Sequence, residues 1–153
     1  NFESCDPHGH LNNSRYIDYF YNARVDQLRE NYNFDIYDLG KERGKNWVVS
    51  SSQIAYFFPV VYNEEVTIST KMIFFSSFRV SAEYIMFDLT KKKLHSILWS
   101  DFIYIDLKTG KPAKHSPEML DFFTKIVYNL EEIKANDFAS RTKSIQKLLK
   151  GEK

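Results

Sequence analysis

Four long runs rich in Val, Ile, Thr, Phe and Tyr constrain this chain more than any other feature. They follow one another at about Trp47 to Phe58, Glu65 to Phe75, Phe78 to Leu89 and Leu94 to Asp106. Each exceeds the usual strand of roughly five or six residues, so a sheet built from them bends and can wrap another element. The corners between them are short: Ser76-Ser77 and Lys91-Lys92-Lys93 suit antiparallel hairpins, whereas parallel neighbours need a long crossover. In the last run Ile97, Trp99, Ile103 and Ile105 share one parity and Ser96, Ser100 and Asp106 the other, which predicts a core face on the isoleucine side.

A helix precedes the strands. Between about Asn13 and Glu30, Tyr16, Ile17, Phe20, Ala23 and Leu28 recur near helical spacing, with Arg15, Asp18, Asn22, Asp26 and Arg29 on other faces. Asn12 or Asn13 serves as its N-cap. Phe2 and Cys5 close a short strand that runs into the loop before it, and Asp38, Gly40 and Gly44 mark the connection after it. Beyond the strands, Asp106 to Pro112 forms a turn and Ser116-Pro117-Glu118 starts another helix, striped by Leu120, Phe123, Val127, Leu130 and Ile133. After a break near Asn136 a last helix carries Phe138, Ile145, Leu148 and Leu149. Its basic residues, Arg141, Lys143, Lys147, Lys150 and Lys153, read as a solvated face.

These elements define an α+β chain in which a long curved antiparallel sheet wraps one central helix. At 153 residues one compact unit is the expectation, with a core rich in rings: thirteen Phe, ten Tyr and two Trp. Among the phenylalanines, Phe57, Phe58, Phe74, Phe75 and Phe78 are expected to be mostly core. A formal net charge of +1 excludes the strongly basic footprint of a typical nucleic-acid binder. The single cysteine, Cys5, can form neither an internal disulfide nor a cysteine-based zinc site, which suits a reducing, cytoplasmic setting. No apolar run reaches the roughly 18 residues of a membrane span, and the start lacks the pattern of a signal peptide. Asn12-Asn13-Ser14 fits a glycosylation sequon, but no secretory context accompanies it.

The chemistry concentrates in Asp6-Pro7-His8-Gly9-His10-Leu11-Asn12-Asn13. A carboxylate, two imidazoles and a flexible glycine lie just before the positive end of a helix dipole, where an acyl-transfer site finds both its acid and its donors. With Tyr16, this stretch resembles the Asp-x-x-Gly-His-x-Asn-Asn-x-x-Tyr signature of hot-dog-fold thioesterases, in their hydroxybenzoyl-CoA thioesterase-like branch. Ile54 to Pro59 followed by Glu65 to Ile68 is similar to that family's Tyr-x-x-Pro segment and next strand, and Asp106 to Pro112 resembles its closing turn. The likeness covers roughly Phe2 to Phe123. It implies a hot-dog domain over residues 1–123, with a helical extension over 124–153 packed on it or trailing from it.

The resemblance also implies hydrolysis of an acyl-CoA thioester by a homodimer or homotetramer, without cofactor or metal. Asp6 would be the catalytic carboxylate, acting as general base or nucleophile, and the backbone amide of Asn13 would polarise the carbonyl. His10 matches the Gly-His pair and either holds the loop or touches substrate. Tyr16 and Phe20 would line the acyl pocket, and Ser76, Ser77 and Arg79 occupy the corner where relatives contact CoA. Ser4 stands where many relatives carry a second acid. His8 reads as an exposed loop histidine. An acyl-carrier-protein thioesterase is the nearest variant, since acidic carriers suit the lysine corner. A non-catalytic acyl-CoA-binding module and a dehydratase using His10 are alternatives, the latter without its partner motif. Asp6, His8 and His10 form an incomplete metal set, and Cys5 reads as a buried, inert thiol. There is no Gly-x-Ser-x-Gly elbow and no Gly-rich phosphate loop.

Overall fold

The computed structural model describes residues 4–32, 44–129 and 137–151. In chain order the elements are α1 (Asn13–Tyr32), β1 (Lys45–Tyr56), β2 (Val66–Phe75), β3 (Arg79–Asp88), β4 (Leu94–Asp106), α2 (Pro117–Ile126) and α3 (Phe138–Leu149). The strands form one antiparallel sheet in the order β1-β4-β3-β2, the hot-dog arrangement that the sequence implied. Both tight corners are held by side chains. Ser76 Oγ accepts the amide of Arg79 at 3.1 Å, and Asp88 Oδ1 accepts those of Lys92 and Lys93 at 2.7 and 2.8 Å. Among the described residues no helix is long and apolar enough to cross a membrane.

α1 lies across one face of the sheet. Tyr16 and Phe20 pack into a cluster with Ala82, Tyr84 and Met86 of β3 and Leu98 of β4, and the Phe20 and Tyr84 rings are 5.7 Å apart. Alternation along β3 therefore sends its even-numbered residues toward α1. The odd-numbered ones face the opposite side, where Ile85, Leu94 and Ile97 meet Ile145 of α3, with Phe87, Trp99, Phe138 and Leu149 around them. This corrects the reading of β4 as a strand with one core face. The parity of Ile97 and Trp99 is covered by α3, while Ser96 and Ser100, equally buried, belong to the parity of Leu98, which packs toward α1.

Arg141 is a second correction. Rather than facing solvent, it is buried and donates from Nε and Nη2 to Glu83 of β3 at 2.8 and 2.9 Å; Trp99 Nε1 donates to the same carboxylate at 2.9 Å. Leu148, expected on the apolar stripe of this helix, is exposed. Phe58 and Phe74, expected in the core, are also half or more exposed.

Ser116 caps α2, accepting the amide of Met119 at 3.2 Å, with Pro117 in the first helical position as expected. The helix is shorter than its apolar stripe suggested. Val127 leaves it in extended conformation and bridges to Met72, and the Tyr128 amide donates to Met72 O at 2.8 Å. β2 is an edge strand, and an edge carbonyl competes with helix continuation for the next amide. Leu130, Ile133 and the break near Asn136 lie outside the described residues, as do Phe2, Asp38 and Gly40.

Candidate functional site at the opening of the central helix

Residues 4–12 fold into a tight loop. Cys5 bridges to Leu11, the Asn12 amide donates to Ser4 O at 2.8 Å, and the Asp6 amide donates to His10 O at 2.7 Å. The turn at its tip needs Gly9, whose φ of 77° is one that side-chain-bearing residues rarely adopt. Inside this turn the Asp6 carboxylate accepts two backbone amides, His8 at 2.9 Å and His10 at 3.0 Å. Both fall on Oδ1; among the described residues no hydrogen bond falls on Oδ2. The amide of His10, and with it that of His8, holds the Asp6 carboxyl below the usual aspartate value, against the opposing effect of partial burial.

Of the two candidate caps, Asn12 is the one used: its Oδ1 accepts the Ser14 amide at 3.2 Å. Asn13 is then the first helical residue, and among the described residues its N–H finds no acceptor, as the first amides of a helix do not within the helix itself. Tyr56, which the sequence reading left out of the site, donates its hydroxyl to Asn13 O at 3.2 Å and meets Tyr16 edge to face at 5.0 Å. The Tyr-x-x-Pro match was the signal that pointed to it. Tyr16 Oη in turn accepts the Val60 amide at 3.4 Å, and burial raises the pKa of this phenol. Asp6, Asn13, Tyr16 and Tyr56 thus share one end of the sheet. His10 contributes its backbone to the Asp6 turn, Cys5 is half-buried, and His8 is exposed.

Ser76, Ser77 and Arg79 lie elsewhere. β4 pairs with Tyr56 at Ser96 and with Arg79 at Ile103, and those seven residues of strand span roughly 23 Å. Within one chain the proposed CoA corner and Asp6 are therefore at opposite ends of the sheet. The lysine corner, Lys91 to Lys93, is at the Asp6 end, because β4 begins beside it. Phe20 is fully buried in the core. An apolar cavity of about 250 Å³ opens farther along the helix, between Tyr21, Val25 and Leu28 of α1, Val80 and Ala82 of β3, and Phe122 and Phe123 of α2. By helical rise it begins roughly 12 Å from Asn13.

A curved antiparallel sheet packed on one central helix is the hot-dog architecture that the resemblance implied. Residues 1–123 match the family model of the thioesterase-like superfamily, and the chain belongs to that family of thioester hydrolases. No curated protein matches its sequence. Among solved structures it is similar to a DHNA-CoA thioesterase from Staphylococcus aureus, at 21% identity and a TM-score of 0.75, covering 88% of this chain and 87% of that one. It is also similar to YbaW, a probable thioesterase from Escherichia coli, at 23% identity, covering 82% and 92%, with a TM-score of 0.68. A Thermus thermophilus thioesterase complexed with coenzyme A and zinc matches at 18% identity, covering 79% and 84%, with a TM-score of 0.64. At these identities the likeness is one of fold.

Proposed function

We propose that the chain hydrolyses an acyl-CoA thioester to the free acid and CoA, with Asp6 as the reacting carboxylate and the Asn13 amide as the oxyanion donor. The observation that carries this reading is the Asp6 turn: among the described residues one carboxylate oxygen is held by two amides and the other accepts no bond, beside a helix whose first N–H has no acceptor among them. A thiol of pKa near 8.5 leaves as thiolate without a strong general acid, so a carboxylate and a preorganised donor suffice. Asp6 either draws a proton from water as it attacks, or attacks the carbonyl itself, expelling thiolate and leaving a mixed anhydride that water then cleaves. Single turnover in ¹⁸O-water tests the second route: label in Asp6 with none in the released acid marks an anhydride cleaved at the Asp6 carbonyl. A panel of acyl-CoA esters read by thiol release tests the activity; tight binding without release would mark a binding module instead.

The amides that lower the Asp6 pKa also set its pH dependence. The active form is the carboxylate, and it persists until pH falls through the lowered folded-state value. Stability from these bonds is present above the unfolded value and lost over the same acidic interval. The acid limb of kcat/KM is therefore expected below the ordinary aspartate range. A limb at or above that range would contradict Asp6 as the group.

The acyl chain runs along α1 into the apolar cavity, which favours substrates long enough to bridge the gap from the helix opening. Val25→Phe narrows that cavity from the helix side and should reduce kcat/KM for long-chain esters about tenfold while sparing short ones. An equal loss for both would remove the cavity from the substrate path. The separation of Asp6 from Ser76, Ser77 and Arg79 favours a homodimer in which a second copy brings its corner to the site. β1 offers the means: it is an edge strand with Val48 to Gln53 exposed in succession. An acyl carrier protein is the second reading for the leaving group, favoured by three lysines at the Asp6 end of the sheet. A reducing cytoplasm suits the single thiol.

A further inference from the structure

The loop that carries Asp6 hangs on the segment between β1 and β2. Leu11 donates its amide to Val60 O at 2.7 Å, and Tyr62 donates to Gly9 O at 2.8 Å. That segment is held from below by His95 and from within by Glu64. β4 carries an extra residue where Met86 pairs with Ser96 and Phe87 with Leu94, and His95 is that residue, re-aimed by the bulge and only 1% exposed. Its Nδ1 lies 2.7 Å from Phe58 O, while its own carbonyl accepts the Phe57 amide at 2.9 Å. Its Nε2 lies 3.2 Å from Glu64 Oε1, off the line of a hydrogen bond, and is the buried side-chain nitrogen left without one among the described residues. Glu64 Oε2 accepts the Val61 amide at 3.0 Å.

The buried imidazole thus spans the segment, with the Phe58 carbonyl on one side and the Glu64 carboxylate on the other. His115 shows the contrast in the same protein. There the Trp47 indole donates to Nε2 at 3.0 Å and Ser76 O lies 2.9 Å from Nδ1, a pair matched by the neutral ring, and burial lowers the pKa of that histidine. Glu64 faces His95 from the β1–β2 segment, and Asp88 stands at the end of β3, where it accepts the Lys92 and Lys93 amides.

We propose that His95, buried between Phe58 O and the Glu64 carboxylate, is a positioning residue that locks residues 58–64 and through them the Asp6 loop. Its kinetic consequence rests on the reading of Asp6 given above; its structural consequence does not. In the full chain, Glu64→Gln removes the carboxylate that faces Nε2 and keeps an acceptor for the Val61 amide. Amide exchange at Leu11 and Tyr62 should then rise about tenfold, with the sheet amides of Tyr84 and Leu98 unchanged. Should Glu64→Gln fail to fold, His95→Gln gives the same exchange readout. For the kinetics, kcat should fall about tenfold with KM nearly constant, as expected for a loosened reacting group. Unchanged exchange at Leu11 and Tyr62 overturns the proposal. Asp6→Asn serves as control: if it leaves hydrolysis intact, the catalytic reading fails while the exchange result still judges the clamp.

Discussion

Asp6→Asn is expected to lower kcat for acyl-CoA hydrolysis by at least about a hundredfold, the lower end of what a positioned acid–base group contributes, and by more if the carboxylate is the nucleophile. The substitution is unusually clean here. The two amides of His8 and His10 both bind Oδ1, and an asparagine oxygen in that place accepts the same two bonds. The Pro7–Gly9 turn, the Asn12 cap and the bridges to Val60 and Gly9 are then undisturbed, so the variant should melt within a few degrees of the wild type. What disappears is the negative charge and basicity of the oxygen left open. Catalysis lost with fold retained, measured by thiol release and calorimetry, supports the assignment; kcat within about threefold of wild type removes Asp6 from the reaction.

The largest effect on stability is expected from Arg141→Met. Its guanidinium forms a bidentate pair with Glu83, which is fully buried and also accepts the Trp99 indole. Removing the cation strands a carboxylate under α3, and breaking a buried pair in this way costs on the order of 3–5 kcal/mol. For a chain of this size that corresponds to a fall in Tm of about 10 °C. Part of the loss should appear locally, as α3 coming off the outer face of the sheet with faster proteolysis within residues 137–151. Adding Glu83→Gln removes the stranded charge yet keeps an acceptor for Trp99, so the double variant should regain most of the stability. A single variant costing less than about 1 kcal/mol would mean that the pair is as dispensable as a surface bridge.

The strands, the first helix and the loop before it were legible because each depends on local rules. β-branched and aromatic runs, helical spacing from Tyr16 to Leu28, the Ser116-Pro117 start and the Asp6 to Asn13 motif all act over a few residues. Arg141 was misread for the opposite reason. Its partner is 58 positions away, and a lysine-rich neighbourhood on its own helix gives no sign of a carboxylate on β3. The β4 parity was read correctly as a division into two faces, but alternation does not say what lies over either face.

The amino-acid order by itself determined which segments become strands and helices, where the chain turns, and that a carboxylate sits at a helix opening, since these follow from backbone sterics, side-chain period and turn chemistry within a short window. Only the tertiary structure decided that both sides of the sheet are covered, that Val127 leaves its helix for an edge carbonyl, and that His95 meets Glu64 and Glu83 meets Arg141. Those outcomes depend on desolvation and on partners brought together from distant positions, and a buried charge has no meaning until the elements that exclude water from it have packed.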